Sequence, residues 1–199
     1  MDALDKYKQR MLNTLSRFEP VTEVAWQDLH PLCTYEKFDS GQYLIRQGEF
    51  PKDIVFILSG VMRAFYRSRD GIDYNKTFFM PSSFAGPLAA LLQKNYSHLY
   101  FQAMIDTEVL KFEYQKFLAL FDRHRCLETL MRKVIELEWV IKKEQREIQL
   151  VMCDATQRYA HFQEEYPGLE KLIPQYHIAS HLGITPIQLS RIRAKMAGK

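Results

Sequence analysis

Residues 54–72 read Ile54-Val55-Phe56-Ile57-Leu58-Ser59-Gly60-Val61-Met62-Arg63-Ala64-Phe65-Tyr66-Arg67-Ser68-Arg69-Asp70-Gly71-Ile72. Two short β-favouring runs, Ile54–Leu58 and Val61–Tyr66, stand either side of Ser59-Gly60. Asp70-Gly71 after the second run suits the positive φ angles of a type I′ turn, so a hairpin is expected there. The same texture extends outward from Tyr35 to Phe112. Further strand-like pieces are Gln42–Arg46, Asn75–Met80, Leu99–Ile105 and Glu108–Phe112, and further turn signals are Ser40-Gly41 and Gln47-Gly48. Several short strands at near-regular spacing predict a β-roll or sandwich.

The flanks change period. Leu4, Tyr7, Met11, Leu15 and Phe18 form one helical face, and a second short helix is expected from Val21 to Leu32, with Thr22 as N-cap. From Leu127 to Met152 there is no Gly or Pro. There Leu130, Val134, Leu137, Ile141, Glu144, Ile148 and Val151 follow steps of four and three, a heptad-like seam broken only by Glu144. A helix over residues 127–152 would be about 39 Å long, which suits pairing with a second copy through Leu130, Val134, Leu137, Ile141, Ile148 and Val151 as well as packing within one chain. Asp154-Ala155-Thr156-Gln157 then reads as a capping box, and Pro167-Gly168 as the end of that helix.

The last segment places Ile178, Leu182, Ile184, Leu189 and Ile192 at positions that suit two helices packed across a tight turn. Ala179 is small where they approach, Gly183 supplies a left-handed C-cap, and Thr185-Pro186-Ile187-Gln188 is a capping box with Pro at N1. This is the spacing of a helix-turn-helix, whose second helix enters the major groove. Ile187, Gln188, Arg191 and Lys195 fall on its outer face, flanked by Ser190 and Arg193. Arg can take guanine, Gln adenine, and an exposed Ile a thymine methyl, whereas Thr185, Ser190 and Lys195 suit phosphates.

Charge supports that placement. The chain of 199 residues is +3 overall, but after Glu170 it has no acidic residue and five basic ones, leaving residues 1–170 at −2. A basic end on a nearly neutral body points to an anionic partner. No apolar run approaches the length of a membrane span, and the N-terminus lacks a secretory signal, so a cytoplasmic protein is expected. Cys33, Cys126 and Cys153 are far apart and form no metal-binding spacing. His98, His124 and His161 are isolated along the chain, and neither a nucleophilic triad nor a phosphate-cradling glycine loop is present. A metal or prosthetic cofactor is not expected.

In this order of parts the chain, from about Cys33 to Lys199, resembles the CRP/FNR family of regulators. The residues that carry the resemblance are Phe38-Asp39-Ser40-Gly41-Gln42-Tyr43-Leu44-Ile45-Arg46-Gln47-Gly48-Glu49 and Val55-Phe56-Ile57-Leu58-Ser59-Gly60-Val61-Met62-Arg63. At the other end, Ile178 to Pro186 and Leu189 to Arg193 look like the helix-turn-helix of Bacteroidetes-type members. The resemblance implies a cyclic-nucleotide-binding-like β-roll (a double-stranded β-helix), a long dimerisation helix and a helix-turn-helix domain, an α+β fold class. The expected boundaries are 1–126, 127–152 and 153–199. It also places an effector pocket around Phe84, Ala85, Gly86, Pro87, Leu88, Ser97, His98 and Leu99. The family's cassette has Glu where Pro87 stands and Arg where Ser97 stands, so cyclic AMP is not expected in the usual mode. The aromatic and apolar content there suits either an apolar ligand or a filled core. The family's iron–sulfur branch needs an N-terminal cysteine cluster that is absent.

The expected function is a homodimeric, sequence-specific transcriptional regulator, not an enzyme. Its expected partners are a palindromic double-stranded DNA operator, a second copy of itself and, as a further candidate, RNA polymerase. Alternatives are a ligand-sensing interaction module on a β-roll without DNA binding, and a cupin-like metal enzyme.

Overall fold

A computed structural model describes residues 3–198. Two helices open the chain, α1 (Ala3–Leu15) and α2 (Glu23–Leu29), the second capped by the Thr22 hydroxyl and followed by a 3-10 turn. Eight strands follow: β1 (Thr34–Phe38), β2 (Tyr43–Ile45), β3 (Asp53–Ser59), β4 (Met62–Arg67), β5 (Asp73–Phe79), β6 (Phe84–Ala85), β7 (Tyr100–Ala103) and β8 (Thr107–Glu113). A helix α3 (Leu88–Gln93) lies between β6 and β7. After β8 come α4 (Tyr114–Leu118), α5 (Arg125–Val134), a π-helical segment (Ile135–Ile141), α6 (Lys142–Met152), α7 (Ala155–Glu165), α8 (Gln175–Leu182) and α9 (Pro186–Met196).

The strands form two four-stranded antiparallel sheets, in the orders β1-β8-β3-β6 and β2-β7-β4-β5. Val55, Ile57, Met62, Ala64, Phe101 and Val109 meet between them as the interior of the roll. The unbroken apolar run Ile54–Leu58 is explained by burial on both faces of β3. Val55 and Ile57 point into the roll, while Ile54, Phe56 and Leu58 point outward, under α1, α2, α4 and α5. The outer side of the second sheet meets a different cover: Val61 and Phe78 pack with Tyr159, Phe162, Tyr166, Ile178 and Leu182 of the C-terminal helices.

Three local expectations are corrected. The strands β1 and β6 lie outside the expected strand runs; Thr34–Phe38 is largely exposed at a sheet edge, and β6 is only two residues long, so neither carries much apolar pattern. The β4–β5 hairpin is not type I′. Arg67 pairs with Asp73, the Ser68 N–H donates to the Ile72 carbonyl (2.9 Å), and within the loop only Gly71 has positive φ. Type I′ needs it at both central residues; the loop is one residue longer. Finally, the long helix spans 125–152 but is not uniformly α-helical. The π segment inserts the equivalent of about one residue, turning the positions before and after it by about 100° relative to an unbroken seam.

Gly60 joins β3 to β4 with φ +86°, and a Cβ there would lie 2.4 Å from the Asp106 carbonyl and the Thr107 hydroxyl. Left-handed strain and a backbone clash act together, so Gly60→Ala should lower unfolding stability by about 1–3 kcal/mol. Urea denaturation of the variant against the parent measures it, and Gly71→Ala, with open space around its Cβ, should cost less.

Candidate functional site

The helix pair α8–α9 turns at Gly183 (φ +67°). The Thr185 hydroxyl accepts from the Gln188 N–H (3.2 Å), and the Gln188 side-chain oxygen accepts from the Thr185 N–H (3.0 Å). Leu189 is fully buried, and Ile184 and Ile192 are packed against the same core. The outer face of α9 is therefore left to Ile187, Gln188, Ser190, Arg191 and Lys195, all exposed, with Thr185 exposed at its start. Ile187 is 66% exposed, unusual for an isoleucine with no partner in its own chain. Two of the sequence candidates differ from the rest. Arg193 is half-buried and lies beside the Tyr159 hydroxyl, which itself donates to Glu170 (2.5 Å). The Gln188 side-chain oxygen is engaged by the cap, leaving its amide N–H groups outward.

Helix α8 docks on the roll through β5, an edge strand whose outward backbone groups need partners. The Asn75 N–H donates to the Ser180 hydroxyl (3.1 Å), which donates to the Asp73 carbonyl (2.6 Å). His181 Nδ1 donates to the Asn75 carbonyl (3.1 Å), so its Nε2 is the acceptor for Arg146 Nη1 (2.6 Å). Arg146, from α6, also donates to the His181 carbonyl (2.9 Å) and to the Tyr74 hydroxyl (3.3 Å).

Beneath this contact lies Arg63, buried on β4 with its side chain 5% exposed. Every guanidinium N–H is used. Nε donates to Gln102 (3.0 Å), Nη1 to Asn75 (2.9 Å) and to His177 Nδ1 (3.1 Å), and Nη2 to Asp73 (3.0 Å) and Gln102 (2.8 Å). The group also stacks on the Phe65 ring at 3.7 Å. Burial lowers the Arg63 pKa from its ordinary value. Burial pushes the Asp73 carboxyl up, but Arg67 and Arg63 outweigh it and hold it below the usual carboxylate range. His177 is pushed down to about 4 by burial and by the Arg63 charge, and His181 well below its ordinary value by burial and Arg146. Arg63 stands inside the expected strand run; nothing in an alternating strand pattern separates it from a solvent-facing arginine, so sequence reasoning missed it as an anchor.

The residues expected to form an effector pocket are divided. Phe84, Ala85, Gly86 and Leu88 line a cavity of about 50 Å³ between the first sheet and its covering helices. Pro87, also buried, is the N-cap of α3. Ser97 and Leu99 do not line it: the Ser97 hydroxyl donates to the Leu99 carbonyl (2.7 Å), while His98 is exposed. On the long helix, Leu130 is buried in its own chain's core and Val134 lines the cavity, whereas Leu137, Ile141, Ile148 and Val151 are exposed. The Cys33 thiol is buried and pushed up to about 12 by that burial, an inert environment. Among the described residues no three or more His, Cys, Asp or Glu side chains converge on a metal-sized site, and no helix is long and apolar enough to cross a membrane.

Both histidines under α8 are neutral in the docked arrangement, where they face Arg63, Arg146, Asp73 and Tyr176. Their docked pKa values lie below the ordinary 6.5, so the docked state binds fewer protons. Docking is fully favoured above about pH 6.5 and weakens as pH falls toward about 4. Amide exchange in α8 should accelerate over that window, and His177→Gln with His181→Gln should flatten the dependence. A flat profile in the parent would contradict the assignment.

Comparisons with known proteins agree with this architecture. Residues 35–124 match the family model of the cyclic nucleotide-binding domain. No curated protein matches the chain by sequence. Among solved structures, FixK2 from Bradyrhizobium japonicum is similar with a TM-score of 0.73 at 18% identity, covering 83% of this chain and 85% of that one. A regulatory protein from Silicibacter pomeroyi gives 0.66 at 23% identity, covering 98% and 89%. CLP of Xanthomonas campestris, a c-di-GMP-responsive global regulator, gives 0.63 at 13%, covering 84% and 88%. Residues 35–124 thus match the cyclic nucleotide-binding domain, within a fold that the chain shares over most of its length with FixK2, CLP and the Silicibacter pomeroyi protein.

Proposed function

We propose that the chain is a homodimeric, sequence-specific DNA-binding transcription regulator of the CRP/FNR type, working in the cytoplasm on a palindromic operator. The observation that carries this reading is the outer face of α9. Its start is held by the Thr185–Gln188 box, and Ile187, Arg191 and Lys195 stand free of the protein's own core. In this reading residues 153–199 form the helix-turn-helix domain and α9 enters the major groove. Arg191 reads guanine and Ile187 contacts a thymine methyl, while Thr185, Ser190 and Lys195 hold phosphates. Arg193 supports α9 from behind.

Residues 127–152 pair two copies. The exposed apolar positions Leu137, Ile141, Ile148 and Val151 supply the contact, Leu130 and Val134 being engaged within the chain. Two recognition helices about 34 Å apart would then meet successive turns of a palindrome. RNA polymerase is a further candidate partner.

The roll, residues 1–126, is the sensor half, but its residues do not fit cyclic AMP in the usual mode. Pro87 offers neither a carboxylate nor an N–H, and the Ser97 hydroxyl is donated to the Leu99 carbonyl. A cyclic phosphate buried there would have no cation.

Selection of bound sequences from a random DNA pool, with and without cyclic nucleotides, tests the reading; a palindrome selected without ligand is expected. On that site Arg191→Ala should lose about 1–3 kcal/mol and relax preference at one base position. Equal loss on random DNA would reduce Arg191 to a phosphate contact. Ile141→Glu should give monomers by sedimentation, with weakened operator binding; an unchanged mass would refute pairing through this helix.

A further inference from the structure

The cavity bordered by Phe84 and Leu88 has an unusual wall. Its other sides come from the N-terminal helices (Leu15), from α5 (Met131, Val134) and from Trp139 in the π segment. None of its lining side chains is charged or carries a carboxamide or hydroxyl group. Water gains little in such a space, and an anion would meet no cation. A volume of about 50 Å³ exceeds what a single water needs. An empty space of this kind forfeits dispersion contacts that a small apolar occupant would restore.

Val134 and Trp139 both line this space although they are five residues apart. On a regular α-helix such positions point about 140° apart. The wider turn of Ile135–Ile141 brings them to one side. The Trp139 wall therefore exists only while the segment is π-helical. Conversion to α-helix would remove the extra residue and rotate α6 by about 100° relative to α5. That rotation would carry Arg146 away from His181 and Tyr74, and would turn Ile148 and Val151 to a new direction.

We propose that the cavity beneath Trp139 binds a small, uncharged apolar molecule of roughly two or three heavy atoms, and that its occupation holds the π turn and so sets the rotation of α6. The chemistry is that of a hydrocarbon no larger than propane, or of a single xenon atom; an aromatic ring needs a cavity of about 150 Å³. The site stands on the cavity and the helix geometry. It deepens the regulator reading and rests on it only for its purpose, as the means by which the sensor half acts on the paired helices.

Xenon under pressure is the probe, added to the intact 199-residue chain. The expected result is a saturable change in tryptophan emission that disappears in Trp139→Phe, which retains Trp26. At tenfold excess over the dissociation constant, amide exchange within residues 135–141 should slow by up to about tenfold. Leu15→Phe and Met131→Phe fill the space from opposite walls, and either should weaken binding about tenfold or more. Benzoate and cyclic AMP should give no saturable response at this site.

Absence of a saturable response in the folded parent, or a response that survives both filling variants, would overturn the site. Binding with unaltered exchange in residues 135–141 would overturn the coupling to the π turn. A chain that binds xenon as expected but selects no DNA would sink the regulator reading and leave the site standing.

Discussion

A buried guanidinium must have all of its N–H groups bonded, and Arg63 meets that demand only by drawing three elements together. Gln102 comes from β7, Asp73 and Asn75 from β5, and His177 from the C-terminal helix α8. Removing any one partner would leave a desolvated charge with a lost bond, which costs far more than the pair contributes on average. The placement of α8 is consequently tied to the strand that closes the second sheet. The Asn75 and Asp73 backbone groups at that sheet's edge are satisfied by Ser180 and His181 in the same contact.

The roll is therefore covered differently on its two outer faces. The first sheet lies under an apolar layer in which Phe56, Leu110 and Phe112 meet Met11, Leu29, Leu127 and Leu130. The second carries a polar network around Arg63, with a smaller aromatic cluster centred on Phe78. Polar networks are geometrically exacting and sensitive to protonation, whereas apolar layers are sensitive to volume. The long helix reaches both: Leu130 of α5 is sealed into the first cover, and Arg146 of α6 bonds the second. Between them stands the π segment.

Much of the fold is legible in the sequence. Six of the eight strands, the caps at Thr22, Asp154 and Thr185, and the turn at Gly183 follow from local chemistry that acts within a few residues. The exposed face of α9 was likewise readable, because three- and four-residue spacing decides which side chains point at Leu189 and which do not. Of the residues expected to form an effector pocket, Phe84, Ala85, Gly86 and Leu88 line one cavity, whereas Ser97 and Leu99 belong to a separate loop. The linear cassette pattern cannot separate these, since both pieces are close in sequence.

The sequence by itself determined the order of elements, the caps that start α2, α7 and α9, and the basic balance of the C-terminal end. Each of these depends on residue type and on neighbours along the chain. Only the tertiary structure decided that Arg63 is an anchor, that His177 and His181 are neutral, that Leu130 is used within its own core and that the long helix carries a π turn beneath Trp139. Those depend on partners brought from 10 to more than 100 residues away, and the pattern of one strand or one helix contains no record of what will pack against it.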